Sequence, residues 1–202
     1  MKILFATTNK AKIKSYIKRL ECIGIDVVTL DDLSISIDVE EDGLDPVSNA
    51  IIKASAYAKM SGLPTISLDD ALFLNNVPDE IQPGTNVRRV NNKRLNDEEM
   101  IEYYINLVNE YGENGKLDGY FLKGIAMVSE NQVFSFQKKN FRCFTNKKST
   151  IINEGYPLAS IQFISKFNKF KTELNKEEDE IITGFEIKDM LKFILNTVEI
   201  LE

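Results

Sequence analysis

The sequence predicts an α/β protein with a mixed sheet flanked by helices, and three observations carry that expectation. Short apolar runs alternate with helix-spaced stretches in the first third of the chain. A β-branched and aromatic pattern broken by "ENQ" fills residues 117–145. A long apolar helical register closes the chain.

Each element follows from local signals. "KILFA" (2–6) is a short apolar run that stops at "TTN". "KAKIKSYIKRL" (10–20) then places Ile13, Ile17 and Leu20 at helical intervals, so the opening reads as strand, turn and helix. "IDVVTL" (25–30) predicts a second strand and "DVEEDGLD" (38–45) an acidic loop. Asp45 followed by Pro46 is an N-cap and first-turn pair; Val47, Ile51, Ala54 and Ala58 share a face, and Gly62 marks the stop. "PTISL" (64–68) predicts a buried strand ending at Asp69 and Asp70. "NNVPDEIQPGTN" (75–86) predicts a loop or flap, and "NDEEMIEYYINLVNEYG" (96–112) a helix capped by Asn96 or Asp97 and ended by Gly112. "YFLKGIAMVS" and "QVFSFQKKNFRCF" predict an antiparallel hairpin. The final helix, 185–201, lines up Ile187, Met190, Leu191, Ile194, Leu195, Val198 and Leu201 for packing.

Composition narrows the chemistry. The chain of 202 residues is long enough to bury a core, and its 25 basic against 31 acidic residues give a formal charge of -6. That balance offers no general attraction for nucleic acid or an anionic membrane, so any site for an anion must be local. There is no histidine, which excludes Ser-His and Cys-His pairs, histidine-ligated zinc and an imidazole base. Catalysis would have to use carboxylates, lysines or a hard metal. Cys22 and Cys143 are too few and too far apart for a disulfide framework, and their apolar neighbours suggest small buried thiols. "MKILFATTNK" is too short in apolar residues for a signal sequence, and no stretch approaches a membrane span; the expectation is a cytoplasmic protein.

Three polar clusters could carry chemistry. Thr7, Thr8 and Asn9 sit where a strand gives way to a helix, a place where free N–H groups favour phosphate, and Lys12 follows in the first turn. The same residues also suit a plain N-cap beside solvated lysines. Glu40, Glu41 and Asp42 form an acidic loop, and Asp69 with Asp70 places two carboxylates beside apolar neighbours. Magnesium takes one or two protein carboxylates and completes its shell with water and phosphate. One carboxylate from each cluster would suit it, while the other aspartate orients or deprotonates a water. Solvated turns are the competing explanation for each cluster. Asn49 and Lys53, four apart on the second helix, share a polar face and could reach a polyphosphate or simply lie at the surface.

Taken together these stretches resemble a family. "FATTNKAK" is similar to the opening T-G-N-x-x-K of the inosine triphosphate pyrophosphatases, the RdgB-like and Ham-like purine nucleotide pyrophosphatases. "EEDGLDPVSNAIIKA" is similar to their E-x-x-G-x-x-x-x-E-N-A-x-x-K-A, and "PTISLDDALFL" to their strand ending D-D-S-G-L. "PGTNVRR" and "TELNKEE" match later family segments more loosely. The resemblance implies a two-lobed ITPase-like fold with a long central mixed sheet flanked by helices. It implies a single ITPase-like domain over 1–202 with an active cleft between its lobes, and a homodimer. It also implies Mg²⁺-dependent cleavage of nucleoside triphosphates to monophosphate and pyrophosphate. Carried over by position, Thr7, Thr8, Asn9, Lys12, Asn49 and Lys53 would bind substrate, Glu40 and Asp70 would hold the metal, and Asp70, Asp69 and Lys12 would serve catalysis.

The chain departs from the pattern in places. Thr8 stands where the family has Gly, Ser15 where Glu is common, and Ala71-Leu72 where Ser-Gly is usual. "EGYPLAS" (154–160) lacks the Asp of the G-F-G-Y-D-P loop, and "TGF" (183–185) replaces the S-H-R triplet. Loss of hydrogen-bonding groups relaxes base selection. The alternative is a member that binds nucleotide or a protein partner without catalysis.

Overall fold

The computed structural model describes residues 1–37, 39–91, 93–130 and 132–201. Asp38 of the acidic loop and Asn131 of the hairpin turn lie outside the described residues. The element order is β1 (Lys2–Phe5), α1 (Lys10–Cys22), β2 (Asp26–Thr29), α2 (Pro46–Ser61), β3 (Thr65–Leu74), β4 (Arg89–Val90), β5 (Lys93–Arg94), α3 (Asp97–Tyr111), β6 (Lys116–Ser129), β7 (Gln132–Thr145), β8 (Phe163–Ile164), β9 (Lys169–Phe170) and α4 (Lys176–Leu201). The main sheet has the order β2-β1-β3-β6-β7. β1 is parallel to both β2 and β3. Against β3, β6 runs the other way: Asn75 bonds to Asp118, Gly119 approaches Phe73, and Lys123 meets Asp70, so one number rises as the other falls. The sheet is therefore mixed, as the alternation and hairpin predicted.

The chain divides into two compact units: Met1–Asp70, Lys123–Lys138 and Ile187–Glu202 form the first, and Ala71–Leu122 with Lys139–Glu186 the second. The first is layered by the strand period of two. Ile3, Phe5, Ile66, Leu68, Ile125 and Met127 point to one face and pack on Tyr16 and Leu20 of α1 and on Ile187, Met190 and Ile194 of α4. Leu4 and Ala6, and separately Ala126 and Val128, point the other way, onto Tyr57, Ala50 and Ala54 of α2. The small alanines let α2 lie close to the sheet. In the second unit Leu72, Leu74, Leu117 and Phe144 bury α3 through Met100, Tyr104 and Leu107.

Helix α2 forms as its caps require. The Asp45 carboxylate accepts from the N–H groups of Val47 and Ser48, and Gly62 closes the end at φ 68°. Asn96 and Glu99 form a capping box on α3.

Three expectations need correction. β3 does not end at the aspartate pair but continues to Leu74, because Ala71, Leu72 and Leu74 are core residues and the carboxylates find cationic partners within the strand. α4 begins at Lys176 rather than Phe185, since Asn175 and Glu178 make a reciprocal cap that starts the helix earlier. Cys22 is exposed rather than buried; Cys143 is half-buried, and burial pushes its thiol up to about 11. No helix among the described residues is long and apolar enough to cross a membrane.

Candidate active site

Successive strand residues face opposite sides of a sheet, and that geometry explains two adjacent aspartates in β3. Asp70 follows the parity of Ile66 and Leu68 and so faces α1; Asp69 has the opposite parity and faces α2. Each carboxylate meets its own cations.

On the α1 side, Lys12 Nζ lies 2.8 Å from Asp70 Oδ2 and Lys123 Nζ lies 2.8 Å from Asp70 Oδ1. Lys123 has the parity of Ile125 and Met127 on β6, which aims it at the same face. Burial alone would push the Asp70 carboxyl up. The two ammoniums outweigh that and hold it well below the usual carboxylate range. For Lys12, burial works against the charged form, and Asp70 more than restores it, raising the ammonium above its ordinary value.

On the α2 side, Lys53 Nζ reaches Glu41 Oε2 at 2.7 Å and Asp69 Oδ1 at 3.4 Å. Asn49 is buried and serves as a bridge: its Nδ2 donates to Asp69 Oδ2 at 3.1 Å, and its Oδ1 accepts from the Gly43 N–H at 2.8 Å. The acidic loop is thereby pinned to β3. Only glycine suits position 43, where a Cβ would come within 2.6 Å of that same Asn49 oxygen. A second close approach sets α2 itself: a Cβ at Gly124 of β6 would lie 2.5 Å from the Pro46 carbonyl group. The two sides join at the Leu68 carbonyl, which accepts from Lys12 at 3.3 Å and from Lys53 at 3.2 Å.

The turn after β1 stands at the edge of this network. Asn9 Oδ1 accepts from the Lys12 N–H at 3.2 Å, capping α1, and Thr7 Oγ1 accepts from the Asn9 N–H at 3.2 Å. Thr8 and Asn9 are exposed, as are Lys10 and Lys14, which form the solvated face of α1.

Of the residues singled out from the sequence, the structure brings Lys12, Lys53, Asn49, Asp69 and Asp70 into one connected network. Glu40 is exposed, and it is Glu41, one residue on, whose oxygen meets Lys53. Sequence reasoning missed Glu41 in particular and missed Lys123 altogether. Nothing local marks a lysine in a hydrophobic strand as special; only the pairing of β6 with β3 reveals it.

The two sides of the network are built differently. Among the contacts of the described residues, Lys12 and Lys123 both meet Asp70 on the α1 side, whereas Lys53 meets both Glu41 and Asp69 on the α2 side. The described residues contain no group of three or more Cys, Asp or Glu side chains placed to hold a metal unaided. A cation here would take one or two carboxylates and draw its remaining ligands from water and phosphate, which fits the all-oxygen donor set.

Comparison with known proteins finds relatives along the whole chain. The chain is 31% identical over 197 residues to the dITP/XTP pyrophosphatase of Salmonella typhimurium, covering 96% of this chain and 98% of that one. It is 25% identical over 194 residues to the dITP/XTP pyrophosphatase of Leptospira interrogans, covering 95% and 96%. Among solved structures, the Ham1 protein of Staphylococcus aureus superposes with a TM-score of 0.74 at 24% identity, over 98% of this chain and 100% of that one. A HAM1 protein from Coxiella burnetii superposes with a TM-score of 0.77 at 20% identity, over 97% and 99%; both show a shared fold. The sequence pattern of the Ham1 family matches residues 3–146, and the chain belongs to the Ham1 family.

Proposed function

We propose that this protein is a nucleoside triphosphate pyrophosphatase: with water it cleaves the bond between the α and β phosphates and releases monophosphate and pyrophosphate. The observation that carries the reading is the convergence of Lys12 from α1 and Lys53 from α2 on the Leu68 carbonyl beside Asp69 and Asp70. Two helices thereby bring ammonium groups to one strand position, as a polyphosphate requires. Relatives that bear the name dITP/XTP pyrophosphatase support deaminated purine triphosphates as substrates.

Within that reading, Lys12 and Lys53 bind phosphate oxygens, and the Thr7–Asn9 turn offers N–H groups and hydroxyls at the start of α1. Asp70 is kept ionised by its neighbours and can accept a proton from an attacking water once a phosphate draws an ammonium away. Asn49 fixes Asp69 and the acidic loop. Mg²⁺ is the cation we propose. In place of the Glu40–Asp70 pair that the family resemblance implies, we propose Asp69 and Glu41 as its carboxylates, with Glu40 in the same loop, because Asp69 and Glu41 meet at Lys53 while Asp70 is engaged by Lys12 and Lys123. When bound, it would neutralise charge on the phosphate chain. We further propose one catalytic domain over residues 1–202, a homodimer, and a cytoplasmic setting.

The test is a panel of standard and deaminated nucleoside triphosphates assayed for pyrophosphate release with and without Mg²⁺. Release from at least one, dependent on the metal, is the expected result. If none is cleaved, the enzyme reading fails. Base preference is the part the panel must supply, because Phe185 is apolar and exposed, and Thr183 donates within α4 to Asp179.

A further inference from the structure

We infer that the aromatic sheet face of the second unit, centred on Tyr120 and Phe141, is where two copies of this chain dock about a two-fold axis. The inference rests on the homodimer proposed above and names its surface.

Phe73, Tyr120 and Phe141 form an aromatic row across β3, β6 and β7. The Phe73 and Tyr120 ring centroids are 5.4 Å apart and stacked, and those of Tyr120 and Phe141 are 6.1 Å apart and edge to face. By the strand period of two, the row faces away from Leu72, Leu74, Leu117 and Phe144, which bury α3. Its three rings belong to none of the buried apolar clusters among the described residues. Phe141, on the outermost strand of the sheet, is 75% exposed. An exposed aromatic patch with a charged rim has the anatomy of a protein–protein contact.

The rim identifies the partner. Asp118 meets Cys143 just as Tyr120 meets Phe141, so β6 and β7 run in opposite directions beside the row. Asp118 and Lys139 each stand two residues before an aromatic of the row, on antiparallel strands. They therefore lie on opposite sides of it, each about 7 Å away. Among the described residues neither has an oppositely charged partner: Asp118 faces the Cys143 thiol, and the Lys139 ammonium lies 4.3 Å from the centre of the Tyr120 ring. Lys116, the next base on that face of β6, lies over the Phe163 ring instead. A surface that docks on its own copy must carry its own complement, and this one does. With the two-fold axis lying along the row, two such faces meet with their strands reversed. Phe141 then stacks on the second copy's Phe141, and each Asp118 comes opposite the second copy's Lys139. An axis parallel to the strands would instead bring the two Asp118 carboxylates to one level, so the charges select the first arrangement. The two crossed ion pairs offset the repulsion between chains that each carry a net charge of -6.

The experiment is sedimentation equilibrium of the full-length protein over a range of concentrations, for the wild type, Phe141→Ser, Lys139→Asp and the double exchange Asp118→Lys with Lys139→Asp. The wild type is expected to dimerise. Phe141→Ser should raise the dissociation constant about tenfold or more, and Lys139→Asp about fivefold, while the double exchange returns it to within about twofold of the wild type. That rescue is a result which damage to the fold cannot imitate. If the wild type dimerises and neither single variant weakens it, or the double exchange does not restore it, this surface falls and the homodimer stands on another face. A wild type that stays monomeric at every concentration assigns the row to a different partner and overturns the inference together with the homodimer. Should Phe141→Ser lower the melting temperature, the charge exchange decides the question by itself. Pyrophosphate release has no part in these readings, so the enzyme reading is tested independently.

Discussion

Two sets of ion pairs, one in each unit of the chain, are built in opposite ways. In the second unit two acids, Glu186 and Asp97, each pair with a single arginine, and each pair secures a local piece of chain. Arg142 reaches Glu186 at 2.8 Å with both side chains nearly buried. Arg88 binds Asp97, whose other oxygen accepts from the Gly155 N–H at 2.9 Å. In the first unit, lysines from α1, α2 and β6 share two aspartates, a glutamate and a carbonyl. A one-to-one arginine pair commits its two charges to each other. A shared, partly exposed lysine network can trade its internal partners for external ones, which is what a binding site needs.

The largest effect tests the shared network. Asp70→Asn removes the proton acceptor and should lower pyrophosphate release by roughly 10²–10⁴-fold while leaving the circular dichroism spectrum native. An active mutant would show that the network does not perform the chemistry. Next comes the closed pair: Glu186→Ala strands the Arg142 guanidinium and should cost roughly 3–5 kcal/mol by denaturant titration, with pyrophosphate release unchanged. A change in that release would erase the distinction between the units.

Gly124→Ala probes how α2 is set on the sheet. Its new Cβ meets the Pro46 backbone, and the overpacking should cost about 1–3 kcal/mol and weaken substrate binding through the displaced Asn49 and Lys53. Unaltered stability would mean α2 has room to shift.

The smallest effect concerns pH. Asp70 has its folded carboxyl below the ordinary range, so its stabilisation is fully present above about pH 4 and lost as pH falls toward the lower folded value. The melting-temperature gap between wild type and Asp70→Asn should therefore narrow from pH 7 to pH 3. A gap that stays constant would show that the lysines do not hold Asp70 ionised.

Much of the local structure was legible from residues alone. Asp45-Pro46 and Gly62 bounded α2, and Asn96 announced α3, because a cap is an interaction between residues three or four apart. The Asn175–Glu178 cap is equally local, but the apolar register from Ile187 onward is the stronger signal and points to a later start for α4. The end of β3 is hidden for a different reason. Adjacent charges look like a strand end until partners from three other elements are known.

The sequence by itself determined the α/β class, the helix caps and a set of conspicuous polar residues including Asp69, Asp70, Lys12 and Lys53, since periodicity and capping are short-range properties. Only the tertiary structure decided that Asp70 faces α1 while Asp69 faces α2, that Glu41 is the acid meeting Lys53, and that Lys123 completes the network. The reason is that those contacts join residues 12 to 58 positions apart in the chain, such as Lys53 with Glu41 and Lys12 with Asp70, and are fixed by strand register rather than by neighbouring sequence.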